Sequence, residues 1–118
     1  MANYKELKVW QKSMDLVVDI YKTINGLPQI EKFALSDQIR RCSVSIPSNI
    51  AEGAGRNHTK EFIQFLSIAL GSLYELQTQL EIAQRVGYIS NIVDLDKKTL
   101  EIEKMLNALI TSMKRSQY

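Results

Sequence analysis

The sequence predicts an all-α chain folded as an antiparallel, up-down-up-down four-helix bundle, and three observations carry that reading. Apolar residues recur in four series at alternating three- and four-residue steps, the spacing that keeps a stripe on one face of a helix. Breaks rich in glycine or proline separate the series near residues 26, 55 and 87. The one strand-like alternation, Val44-Ser45-Ile46, is too short to compete with the helical series that contains it. Short connections between consecutive long helices favour antiparallel neighbours, and residues 1–118 read as a single four-helix-bundle domain.

The first helix carries Leu7, Trp10, Met14, Val17, Tyr21 and Ile24 as its stripe. Asn25 and Gly26 supply a stop, and Pro28 lies just beyond, where it cannot lengthen the helix. The second opens at Ser36-Asp37 and runs through Leu35, Ile39, Cys42, Ile46 and Ile50, straight across Pro47. The third follows Asn57 or Thr59 as alternative N-caps, with Glu61 well placed near the N-terminus, and ends at Gly87. Its stripe is Phe62, Leu66, Ala69, Leu73, Leu76, Leu80 and Ala83. The fourth starts behind Asp94 or Asp96 and carries Leu95, Ile102, Leu106, Leu109 and Met113, with Lys114 and Arg115 where cations suit the helix dipole.

Helix three holds more apolar surface than one seam needs: Ile63, Phe65, Ile68, Leu70, Tyr74 and Ile82 lie outside its stripe. Such a helix must bury more than one side, against its own bundle or against another subunit. Phe65 and Ile68 are the candidate subunit-interface residues. Gly71, in mid-helix, costs about 1 kcal/mol relative to Ala and suggests either close approach by another backbone or a tolerated defect.

Composition bounds the function. The 118 residues are 45% hydrophobic and 24% charged, ordinary for a folded chain, and the net charge of +2 is too small to imply a nucleic-acid or membrane partner by itself. Cys42 is the sole cysteine, which excludes an internal disulfide and a cysteine-cage zinc site. With no secretory-type apolar segment at the N-terminus and no membrane-length run, the expectation is a cytoplasmic protein without a membrane partner. Catalysis is not expected either. His58 is the only histidine, Cys42 falls on an apolar seam as an inert core thiol, and Gly53-Ala54-Gly55-Arg56 follows a helix instead of a strand. No cofactor, metal or small-molecule substrate is implied.

The segment RRCSVSIPSNIAEGAGR, residues 40 to 56, concentrates the unusual residues. Pro47 cannot donate to the carbonyl of Ser43, and its ring crowds that carbonyl, so helix two should kink there. Ser43, Ser45 and Ser48 can meet the disturbed backbone with hydroxyls. Asn49 and Glu52 lie close to the seam, where a buried side chain needs a polar partner. Gly53 and Gly55 end the helix. A bent helix with a polar cap accounts for all of this. A sharper reading adds a basic surface of Arg40, Arg41, Arg56, His58 and Lys60.

The stretches SIPSNIAEGAGR and KEFIQFLSIALGSLYEL, with LKVWQKSMDLVVDIY and QIRRCSVSIPSN, resemble the small bacterial four-helix-bundle proteins encoded in 23S ribosomal RNA intervening sequences. The resemblance covers nearly the whole chain. It implies an up-down bundle and, by similarity to the accessory variability determinant proteins of diversity-generating retroelements, a ring-like homopentamer whose basic surfaces can bind RNA or DNA. It implies no activity and no particular biological role.

Charge is segregated along the chain. From residue 32 to 60, Lys32, Arg40, Arg41, Arg56 and Lys60 face only Asp37 and Glu52, whereas residues 61 to 84 hold Glu61, Glu75 and Glu81 without a cation. Arg40, Arg41, Arg56 and Lys60 are therefore the candidate nucleic-acid-binding residues, a patch that a symmetric oligomer would repeat. The alternative is a protein-protein interaction scaffold whose basic face is merely solvated.

Overall fold

The computed structural model describes residues 3–116, and among them there is no strand. Four helices follow one another: α1 at Lys8–Ile24, α2 at Leu35–Gly55, α3 at Thr59–Arg85 and α4 at Val93–Arg115. One-turn 3₁₀ segments at Tyr4–Glu6 and Gln29–Glu31 precede α1 and α2. Each helix packs beside the next and α4 closes on α1, while the diagonal pairs α1–α3 and α2–α4 do not meet. This is the up-down bundle, 48 Å long and about 20 Å across. One apolar cluster runs through all four helices, with Leu16, Ile39, Ile46, Leu66, Leu73, Leu76 and Leu106 fully buried. Each such side chain contributes about 1.5–3 kcal/mol by leaving water.

The stripe expected on α3 is buried in full, and Gln79 joins it. On α4 the core positions are Leu95, Thr99, Ile102, Leu106 and Ile110, while Leu109 and Met113 sit at the edge. On α1 the expected stripe is displaced by one residue. Val9, Ser13, Leu16 and Ile20 face the core, Trp10, Val17 and Ile24 are half-buried, and Met14 and Tyr21 are exposed. Ser13 can occupy a core position because its hydroxyl donates to the Val9 carbonyl at 2.6 Å, leaving no bare polar group. α1 thus has two apolar faces, and the larger residues line the outer one.

The helix ends differ from the expected caps. α3 begins after His58 and α4 after Ile92, neither of which caps with its own side chain; Asp94 and Asp96 lie within the first turn of α4, and the Asn91 side chain accepts from the Val93 amide at 2.9 Å. Asn57 has φ 60° and carries the chain out of α2 in the left-handed region, which asparagine tolerates better than most residues. Gly87, with φ 86°, ends α3 in a Schellman turn: its amide donates to the Gln84 carbonyl and the Tyr88 amide to that of Ala83. α2 starts after Ala34, where the Glu31 carboxylate accepts from the Leu35 amide at 3.3 Å.

Pro47 lies inside α2, which continues beyond it to Gly55. The proline is buried, and having no amide hydrogen it leaves the Ser43 carbonyl without its partner in the α2 hydrogen-bond ladder. The Ser43 hydroxyl donates back to the Arg40 carbonyl at 2.8 Å. Asn49 is half-buried and donates to both the Ser45 carbonyl and the Ser45 hydroxyl, at 2.8 and 2.9 Å. Glu52 is not at the seam as expected: it is exposed and accepts from Arg56 at 3.1 Å. Nor does Gly53 end the helix. A Cβ there would lie 2.6 Å from Cβ of Phe65, so Gly53 permits a close approach of α2 and α3 that a side chain would block. Gly71, by contrast, faces open space, and nothing within the chain requires it.

Candidate nucleic-acid interface

The antiparallel topology gathers the start of α1, the end of α2, the start of α3 and the end of α4 at one end of the bundle. That end carries Lys5, Lys8, Arg56, Lys60, Lys114 and Arg115 against Glu6, Glu52 and Glu61. Among the described residues only one of these cations is ion-paired, Arg56 with Glu52. Arg56 also lies over the Phe65 ring, 5.2 Å from its centroid, a contact worth about 0.5–1 kcal/mol when exposed. His58 is exposed in the same turn.

The opposite end carries Lys22, Lys32, Arg40, Arg41, Arg85, Lys97 and Lys98 against Asp19, Glu31, Asp37, Glu81, Asp94 and Asp96. Here the charges are largely matched. Arg40 and Arg41 both pair with Asp37, Arg85 pairs with Glu81 at 2.7 Å, and Lys98 pairs with Asp19. The hydrogen bond from Arg40, helped by Arg41, holds the Asp37 carboxyl below its ordinary pKa.

The four basic residues expected to form one patch are therefore divided. Arg56 and Lys60 share the α2–α3 turn, whereas Arg41 stands 15 residues back along α2, about 22 Å away at the helical rise. Lys5, Lys8, Lys114 and Arg115 join Arg56 and Lys60 instead. Sequence reading missed them because helix ends distant in the chain become neighbours only when the bundle closes.

The candidate interface residues are also separated in kind. Phe65 is half-buried against Gly53 and Arg56 of its own chain, while Ile68 is 51% exposed. Ile82 continues the exposed face of α3 from Ile68, while Tyr74 lies at its α4 edge, where its hydroxyl donates to Glu103 at 3.4 Å. Across the bundle, the outer face of α1 exposes Met14, Val18 and Tyr21, and a shallow groove of about 330 Å³ runs beside it, lined by Trp10, Met14, Val17, Val44, Pro47 and Ala51.

A polar rung crosses between α2 and α3 in the middle of the bundle. The hydroxyls of Ser45 and Ser72 meet at 2.9 Å, and the Cys42 thiol donates to Glu75 Oε2 at 2.6 Å. Burial, reinforced by the Glu75 carboxylate, pushes the Cys42 thiol up to about 12. A thiol that stays protonated to that pH is a poor nucleophile, as a core cysteine should be. Among the described residues no group of three or more His, Cys, Asp or Glu side chains is placed to hold a metal ion, and no helix is long and apolar enough to cross a membrane.

The sequence matches the family model of the 23S rRNA-intervening sequence protein over residues 5–108. No match was found among curated proteins. The fold is similar to the 1.70 Å crystal structure of a protein of unknown function from the S23 ribosomal protein family of Bacteroides thetaiotaomicron VPI-5482. The two are 31% identical and superpose with a TM-score of 0.80, over 86% of this chain and 97% of that one. With that four-helix architecture and a family match across nearly its whole length, the chain belongs to the 23S rRNA-intervening sequence proteins.

Proposed function

We propose that this protein is a non-enzymatic, cytoplasmic homo-oligomer, a pentameric ring by its resemblance to the retroelement accessory proteins, that presents its basic end to the phosphate backbone of RNA or DNA. The observation that carries the phosphate reading is the gathering of Lys5, Lys8, Arg56, Lys60, Lys114 and Arg115 at one end, with a single ion pair among the described residues. Unpaired cations are those able to displace condensed counterions, and a ring would repeat the cluster in every copy. Assembly is supported by the two exposed apolar faces. They lie on α1 and α3, the diagonal helices of the bundle, and a head-to-tail ring needs two different faces on each subunit.

Fluorescence anisotropy of labelled RNA and DNA over a salt series tests the phosphate reading. The expected result is saturable binding whose affinity falls steeply with salt. Changing Lys5, Lys8, Arg56 and Lys60 to Gln should reduce the salt slope by roughly three to four. The Arg40→Gln, Arg41→Gln pair should change it less, because Asp37 already offsets one of those charges. Unchanged binding by the quadruple variant would take the phosphate contact away from this end, and no binding at low salt would leave the scaffold reading, which the exposed faces of α1 and α3 favour. Sedimentation of Met14→Glu and Ile68→Glu tests assembly, and full-size particles from both would overturn the ring.

A further inference from the structure

The end of the bundle opposite the basic cluster holds a cavity of about 440 Å³ between the end of α1, the connecting segment and the start of α2. Its walls are Tyr21, Ile24 and Leu27, and its rim carries Lys32, Phe33 and Arg40. Phe33 is 87% exposed, more than any other large apolar side chain among the described residues. The Lys32 ammonium stands 5.4 Å from the centroid of its ring.

This segment is held in place. The amides of Glu31 and Lys32 donate to Pro28 and Gln29, and that of Ala34 donates to Glu31. The Glu31 carboxylate accepts from the Tyr88 hydroxyl at 2.8 Å and from the Leu35 amide, which ties the segment to α2 and to the turn after α3. Phe33 is thus presented in water on a braced support, and the ordering cost of using it has already been met by folding. The rim keeps a small positive excess. Lys32, Arg40 and Arg41 stand against Glu31, whose carboxylate accepts from Tyr88, and Asp37, which also lines the cavity and pairs with both arginines, three cations to two anions.

An apolar hollow with an exposed aromatic ring and two cations at its mouth matches a flat aromatic group that carries an anion. We infer that this cavity binds a nucleotide, with the base against Phe33 and the phosphate held by Lys32 and Arg40. The source is either a free nucleotide or one residue of a strand. The inference is independent of the basic end, since it uses none of those residues.

The test is calorimetric titration of the full-length protein with adenosine 5′-monophosphate, inorganic phosphate and a short oligo(rA), repeated in the Lys5→Gln, Lys8→Gln, Arg56→Gln, Lys60→Gln background to weaken the basic end. Adenosine monophosphate should bind saturably and at least about tenfold more tightly than phosphate, the difference being the stacked base. Phe33→Ala should weaken nucleotide binding about tenfold without moving the unfolding midpoint, and Phe33→Trp should restore it. Lys32→Gln should weaken nucleotide and phosphate together. Tighter binding of oligo(rA) than of the mononucleotide, lost in Phe33→Ala, assigns the site to a strand; the reverse order assigns it to a free nucleotide. Equal affinity for phosphate and nucleotide, binding indifferent to Phe33→Ala, or no binding at millimolar nucleotide would each overturn the inference.

Discussion

The two ends of the bundle use similar materials in opposite ways. Where α2 passes to α3, six cations stand with one ion pair among the described residues, and the turn is closed by packing, with Gly53 against Phe65. Where α1 passes to α2, the cations are largely paired within one helical turn or across to a neighbouring helix, and the turn is closed by hydrogen bonds to the Glu31 carboxylate. The difference teaches that total charge does not locate a basic surface. The carboxylates at i−3 and i−4, Asp37 for Arg40 and Arg41 and Glu81 for Arg85, decide which cations remain available.

The sharpest way to break the comparison is at Gly53. Gly53→Val should destabilise the fold by about 2–3 kcal/mol in urea unfolding, because the atom it meets is a Cβ fixed to the α3 backbone and not the end of a flexible side chain. Gly55, one half-turn on, meets nothing within 4 Å, and Gly55→Ala should stabilise by about 0.5–1 kcal/mol. If both glycines tolerate substitution equally, the close approach of α2 and α3 is not what shapes the basic end.

At the other end, Glu31→Ala removes the acceptor for Tyr88 and for the first amide of α2 and should lower the unfolding midpoint by less than Gly53→Val does. Hydrogen exchange at Leu35 and Tyr88 should rise with it, and an unchanged pattern would mean that the brace is held elsewhere.

A pH scan separates the central rung from both ends. An unfolded cysteine ionises near 8.5, whereas folded Cys42 holds its proton to about 12, so the unfolded chain loses that proton first. This contribution to stability is complete below about pH 8.5 and should decline as the pH climbs toward 12. Cys42→Ala should flatten that decline. Asp37 runs the other way: its lowered folded pKa makes a contribution present above the unfolded carboxylate value and lost as the pH falls below it. Asp37→Asn should also make the paired end resemble the basic end, with two freed arginines and a steeper salt dependence of nucleic-acid binding. The smallest effect on stability is expected for Phe33→Ala, within about 0.5 kcal/mol of the parent, because the ring is almost wholly in water.

Legibility in the sequence tracked burial. The α3 stripe could be read residue by residue, since a helix flanked by α2 and α4 along its length must bury most of an apolar arc. The α1 stripe lies one position from the expected one: Trp10, Met14 and Tyr21 are the larger set, and periodicity alone does not rank them below Val9, Ser13, Leu16 and Ile20, which share the same spacing. Only the neighbouring helices decide which of two apolar arcs faces inward. Gly53 was legible as a special position but not as a contact, because its reason is Phe65, twelve residues later on another helix. Arg40, Arg41, Arg56 and Lys60 were legible as cations close in sequence, yet a helix carries the first two a bundle's half-length from the others.

By itself the sequence determined that there are four helices, where they break and how they alternate in direction, because propensity, periodicity and short connections act over a few residues and do not wait for the fold. Tertiary structure alone decided which face of α1 is core, that Gly53 joins helices instead of ending one, and that, among the described residues, one end of the bundle collects mostly unpaired cations while the other pairs most of its own and sets Phe33 beside a cavity. These are relations between atoms far apart in the chain, and the packing that brings them together follows from all four helices at once.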